Sequence, residues 1–273
     1  MRRPHRFPTP IPVALLLALA LGGCEESNDT QEIELPPLAV NSTVPDEFVT
    51  FATGTQDLTV IFERGAAPSS LESRLFPLPA SAGDFAPNDP SSRRSWTWSD
   101  VELDPVAGGY HLLVDGLEMA IPHSVSFGVD PDRIFEIGIA GRITSADRGA
   151  VDPEGTVVFA LIRDTAFNPA EPETWADAQG DIVSAVAVVD DTPNVDDPER
   201  YRLWYLEPER RYFVVAIKDT DDDLRYDPTS DWWAAFESDG EFEDVPARPF
   251  GGTDDGDREV PADLVIRPPG GQR

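Results

Sequence analysis

The thirteen residues Asp219-Thr220-Asp221-Asp222-Asp223-Leu224-Arg225-Tyr226-Asp227-Pro228-Thr229-Ser230-Asp231 hold the densest chemistry in the chain. Carboxylates fall at relative positions 1, 3, 5 and 9, with another at 13. Alternate side chains of a tight loop converge on one centre, and a hard cation such as Ca²⁺ takes about six to eight oxygens at ~2.3–2.6 Å. Four carboxylates gathered without a cation would repel one another strongly, so the spacing is that of a calcium loop. The candidate loop residues are Asp219, Asp221, Asp223, Arg225, Asp227 and Asp231. Two positions depart from the usual pattern. Position 6 is Leu224 where glycine normally makes the sharp turn, and position 12 is Ser230 where a bidentate glutamate is expected. The alternative is a solvated acidic turn in an already acidic protein.

Tyr212 to Ile217, just before the loop, alternate as a strand does, so the ion loop would be carried by a strand and not by a helix-loop-helix. In this it resembles the Asp-x-Asp-x-Asp-x-x-x-Asp loops of bacterial adhesin repeats, with Asp231 replacing the missing glutamate. Trp232-Trp233 follow directly. They are candidates for stacking on a sugar, or a plug covering the end of a core. Other residues offer less. His111 and His123 lack the spacing of a zinc site and read as core-edge histidines. Ser124 follows His123, but no Gly-x-Ser-x-Gly elbow exists in the chain. Acidic clusters at Asp190, Asp191, Asp196 and Asp197, and at Asp254, Asp255 and Asp257, read as solvated turns.

The elements that must position this loop are strands. Phe48–Phe51, Leu58–Phe62, Arg74–Leu78, Ser95–Trp98, Gly109–Val114 and Ser124–Phe127 are short β-branched or aromatic runs. Turn formers such as Thr53-Gly54 and Asp104-Pro105 separate them, which argues for a β-sandwich of about 90 residues. The order of the Asp57–Phe62 strand, the Trp96/Trp98 strand, Leu103-Asp104-Pro105 and Gly108-Gly109-Tyr110 resembles bacterial Ig-like domains of the S-layer type over residues 38–128.

A second alternating segment begins near Ile134, after Asp130-Pro131-Asp132, the expected domain boundary. Ile137–Ile143, Thr156–Ile162, Ile182–Val189, Tyr201–Leu206, Arg211–Lys218 and Ala262–Ile266 read as strands. Pro172–Gln179 and Ser230–Phe236 read as helical turns, the latter capped by Thr229 or Ser230. Gly138–Ile143, Thr156–Leu161, Tyr201-x-Leu203 with Leu206-Glu207-Pro208, and Tyr212–Ala216 running into Asp219 resemble the transthyretin-like, carboxypeptidase-regulatory-type sandwiches of bacterial surface proteins. The expected architecture is therefore all-β, with consecutive sandwiches at 38–130 and 131–273. A proteolytic cut near Asp130 to Arg133 is expected to leave two folded fragments.

Ahead of these domains, Arg2, Arg3 and Arg6 precede an apolar run from Ile11 to Leu21 and the pair Gly22-Gly23. That is the layout of a secretory signal, and the run is well short of the ~20 residues a bilayer span needs. Leu21-Gly22-Gly23-Cys24 resembles the lipobox of bacterial lipoproteins, and Cys24 is the only cysteine in the chain. The resemblance implies cleavage before Cys24, lipidation of that residue, and a flexible tether from 24 to 37. Glu25 stands where an inner-membrane retention signal has aspartate, so the outer membrane is the expected destination.

Removing 23 of 273 residues leaves 250, and the formal charge of −30 falls to −33 once the three leader arginines are gone. Such a surface repels nucleic acid. With no second cysteine the stability must come from buried cores or bound ions. Function is expected to be non-catalytic: a lipid-anchored envelope protein presenting sandwich modules to an envelope protein or glycan. A surface hydrolase using Asp/Glu pairs, or a passive spacer, are the alternatives.

Overall fold

The computed structural model describes residues 35–67, 70–130, 137–147, 151–168, 171, 174–189, 199–221, 224, 226–227, 229–239, 241–250 and 261–269. Cys24 with its leader, both weaker acidic clusters, Asp223 and Arg225 lie outside the described residues, as do 131–136 at the expected boundary. Seven strands come first: β1 Val40–Val44, β2 Gly54–Phe62, β3 Glu72–Phe76, β4 Phe85–Pro87, β5 Ser95–Leu103, β6 Gly109–Asp115 and β7 His123–Gly128. The remainder are β8 Ile137–Ser145, β9 Val157–Ile162, β10 Ile182–Ala187, β11 Glu199–Leu203, β12 Arg211–Lys218, β13 Trp232–Ala235, β14 Glu237–Ser238, β15 Glu241–Phe242, β16 Asp244–Pro246, β17 Arg248–Pro249 and β18 Leu264–Ile266. One helical turn, α1 Trp175–Ala178, runs into a 3₁₀ turn at Gln179–Asp181.

Sheet A, in the order β1-β2-β5-β4, faces sheet B, β3-β6-β7, and both are antiparallel. Leu58, Val60 and Phe62 recur at every second position of β2, so one face of that strand is apolar and enters the core. There they meet Trp96 and Leu103 of β5 and Tyr110, Leu112 and Val114 of β6. The second sandwich pairs sheet C, β10-β9-β12-β13, with sheet D, β11-β8-β17, to which β18 adds in parallel beside β8. Its core includes Ile143, Val158, Tyr201, Leu203, Val214 and Leu264.

The same device closes a turn in each sandwich. Asp104 Oδ1 accepts from the N–H of Val106 in the 3₁₀ turn Pro105–Ala107. The Tyr110 hydroxyl, six residues on, accepts from the Asp104 N–H at 2.9 Å. In the second sandwich the Tyr212 hydroxyl accepts from the Glu207 N–H at 3.1 Å, just ahead of Pro208. A tyrosine reaching back to the backbone ties the start of a core strand to the corner that feeds it. It explains why an acidic residue, a proline and a tyrosine recur in this order at both places.

A third buried cluster joins the two sandwiches. Phe76 of β3 and Leu113 of β6 pack with Val157, Phe159 and Leu161 of β9 and with Val215 and Ile217 of β12. Strands β9 and β12 are thus buried on both faces, Val158 and Ala160 lying in the other core. That is why they read as nearly continuous apolar runs and not as alternating ones. α1 contributes Trp175, whose ring meets Phe159 edge-on at 5.0 Å between centroids. A cut near Asp130 would leave one wall of this core exposed on each half.

Two local expectations differ. Residues 48–50 are not a ladder strand, because Phe48 adopts φ 57° and turns the chain; only Thr50 bridges, to Gly128. Residues 230–236 are not helical, because Trp232–Ala235 pair antiparallel with Lys218–Val215. The ladder offered by β12 overrides a weak local cap. Within the helical turn expected at 172–179, the described residues form α1, Trp175–Ala178.

Candidate functional site: the acidic loop after β12

β12 ends at Lys218 and β13 begins at Trp232, so antiparallel pairing brings Asp219 and Asp231 side by side at the loop end of the hairpin. Both are buried, at 9% and 0% exposure, while Asp221 is exposed. One carboxylate oxygen from each of Asp219, Asp221 and Asp231 lies within 4.8 Å of the others. Oxygens sharing one cation at ~2.6 Å are at most about 5.2 Å apart, so this triad fits a common centre.

The loop backbone holds the two buried carboxylates in place. Asp219 Oδ1 accepts from the Asp221 N–H at 3.1 Å, and Oδ2 from the Leu224 N–H at 2.6 Å. Asp231 Oδ1 accepts from the Thr220 N–H and hydroxyl, and Oδ2 from the Asp227 N–H at 2.7 Å. These bonds orient both groups; each carboxylate oxygen has two lone pairs, so Asp231 Oδ2, which accepts one bond, rather than Oδ1, which accepts two, keeps capacity to ligate. Burial, with the Asp231 charge adding to it, pushes the Asp219 carboxyl up to about 7. Burial also raises Asp231. Two sequestered acids that resist ionising together are relieved by a cation between them.

Leu224 sits at φ 52°, the left-handed region that glycine occupies most readily. The sharp turn is therefore made without glycine, at a cost of roughly 1–2 kcal/mol. Its side chain is partly buried against the shared core, which offers a reason to keep leucine there. Asp227 behaves differently from the spacing expectation. Its Oδ1 accepts from the Thr229 N–H and hydroxyl, and those bonds hold its carboxyl below the usual range in an exposed turn. It closes its own turn and is not in the triad. Asp231, thirteenth in the loop and also a candidate from the spacing, is in the triad.

Trp232 packs toward the second-sandwich core and Trp233 toward the shared one, because adjacent strand residues point to opposite faces. They present no common stacking face. Beside the loop, Phe76, Phe159, Trp175, Arg74, Asp219 and Tyr226 line a small cleft open to solvent. His111 is fully buried and not at a core edge, and His123 is partly buried at the start of β7. Sequence reasoning missed the shared core, although the unbroken apolar runs of β9 and β12 carried its signal.

No protein-family model matches the chain, and no curated protein matches it in sequence. Among solved structures, CopC from Methylosinus trichosporium OB3b aligns at 17% identity over 36% of this chain and 97% of its own, with a TM-score of 0.28. A three-Ig structure of titin in an E-to-A mutated variant aligns at 11% identity over 67% of this chain and 61% of that one, TM-score 0.25. An I-band fragment of titin gives 11%, 69%, 63% and 0.24. At these scores the likenesses carry no inference about activity. The strand pairings themselves define the class: an all-β protein of two joined, mainly antiparallel sandwiches. Among the described residues no helix is long and apolar enough to cross a membrane.

Proposed function

We propose that the chain is a lipid-anchored bacterial envelope protein whose two sandwiches, S-layer-type Ig-like at 38–130 and transthyretin-like at 131–273, present a non-catalytic surface to an envelope protein or glycan. The observation that carries this reading is the shared core of Phe76, Leu113, Phe159 and Ile217, which makes the two sandwiches one stiff body suited to holding a surface in fixed orientation. Cys24, behind its basic and apolar leader, supplies the anchor. Two measurements test the anchor and the partner. Labelled palmitate is expected in the wild type and absent from Cys24→Ser; equal labelling of both would defeat the anchor. Soluble protein is expected to retain a specific envelope component from extracts.

In the same reading Ca²⁺ braces the loop through Asp219, Asp221 and Asp231. A ligand bound to the folded state alone stabilises it by about 2.7 kcal/mol at a hundredfold excess over Kd. Calorimetric melting in calcium and in chelator, at fixed ionic strength, is expected to show that shift. Asp221→Asn should abolish it, and Asp227→Asn, outside the triad, should leave it intact. Magnesium should substitute poorly, since it demands near-octahedral geometry. Identical melting in both buffers would make this a solvated acidic turn.

A further inference from the structure

His111 lies on the face of β6 that turns away from the first core and toward the second sandwich, beside Leu113 of the shared core. It is fully buried. Its β3 neighbour in register is Phe76 and its β7 neighbour is Ser126. Nδ1 and the Ser126 hydroxyl are 2.8 Å apart and hydrogen-bonded, while Nε2 has no partner. Across the joint, the Tyr205 ring of the second sandwich stands 6.2 Å from the imidazole. Tyr205, at φ 59°, fills a notch floored by Gly109 and Gly128, where an added Cβ would come within 2.5 Å and 2.9 Å of its ring.

We propose that this joint is an acid-released latch: protonation of His111 separates sheet B from the Tyr205 plug and loosens one sandwich from the other. A neutral ring needs one partner and has it. An imidazolium carries two N–H donors, and the second, on buried Nε2, would have no acceptor. The charges around it offer little relief. On the same sheet face are Asp115 of β6 and Glu72 and Arg74 of β3, all further along the strands; His123 begins β7, and Glu47 acts on Tyr205. β9 and β10, which face this sheet, contain no charged residue. Burial accordingly holds the His111 ring down at about 3, and burial lowers His123 as well.

A histidine whose folded value lies below its unfolded one contributes stability that is whole above the unfolded value and lost as pH falls. The window here runs from about 6.5 down to about 3. Well inside it the opening constant rises about tenfold per pH unit, and roughly fiftyfold between pH 6.5 and 4.5. The latch is independent of the calcium reading and of any partner.

Amide exchange of the full chain, corrected for the intrinsic pH dependence, reads the opening directly. Peptides covering β6 and β10 are expected to show the roughly fiftyfold rise, while the sheet A strand β2 does not. In His111→Gln the rise should shrink to less than threefold in the same buffers, and His123→Gln should keep most of it. An equal rise in wild type and His111→Gln, or none in wild type, would overturn the latch. Should His111→Gln not fold, the wild-type imidazole titration followed by NMR decides. A ring that titrates near 6.5 in the folded chain refutes the proposal, and one still neutral at pH 5 supports it.

Discussion

Leu113→Ala is expected to lower stability by about 2–5 kcal/mol and to do so for both sandwiches at once. Leu113 is fully buried in the cluster shared by β6, β9 and β12, and truncating such a leucine costs the lost transfer free energy plus the cavity left behind. Phe159→Ala, on the facing sheet, should cost about 3–5 kcal/mol for the same reason. Calorimetry distinguishes coupled from independent sandwiches. Coupled sandwiches melt in one transition, and each variant moves all of it, by about 2–4 °C per kcal/mol in a chain of this size. Two transitions, with Leu113→Ala moving only one of them, would show that the shared core does not couple the halves.

The second large effect is expected at Gly109, where an alanine Cβ would sit 2.5 Å from Tyr205 Cγ and 2.6 Å from its Cβ. Real atoms do not approach so closely, so Gly109→Ala must displace the tyrosine and open the notch. We expect a loss of about 3 kcal/mol, from overpacking together with lost burial of the ring. The double-mutant cycle makes this specific. In a Tyr205→Ala background the clash is gone, and Gly109→Ala should cost less than about 1 kcal/mol. Coupling that large arises between groups in direct contact. Additive costs would mean that Tyr205 is not the plug. Chemical denaturation with constant m-values is the appropriate measurement, because a changed slope would signal a partly opened state.

Most strands were legible because their apolar residues repeat with the strand period between turn formers. β2 is an example, with Leu58, Val60 and Phe62 inward and Thr59 outside the core cluster. β4 was not legible: Phe85-Ala86-Pro87 is three residues long and includes a proline, tolerated because it lies at the edge of sheet A. The 230–236 segment misled because a Ser/Thr cap ahead of Trp-Trp-Ala-Ala satisfies local helix rules, whereas the pairing with β12 is non-local. Aspartates at odd positions pointed to a converging loop, and the triad retains Asp219, Asp221 and Asp231 from that pattern.

By itself, then, the chain determined that it would be built from two β-sandwiches, that its acidic loop would follow a strand, and that Leu224 would have to make a turn usually given to glycine. These are consequences of local periodicity, turn chemistry and residue type. Only the tertiary structure decided that Asp231 and not Asp227 joins the triad, since hairpin pairing sets which carboxylates face each other across the β12–β13 end. It alone decided that His111 lies at a buried joint and that β9 and β12 are covered on both faces. Side-chain pattern records which face of a strand is apolar, but what covers that face depends on contacts between residues far apart along the chain.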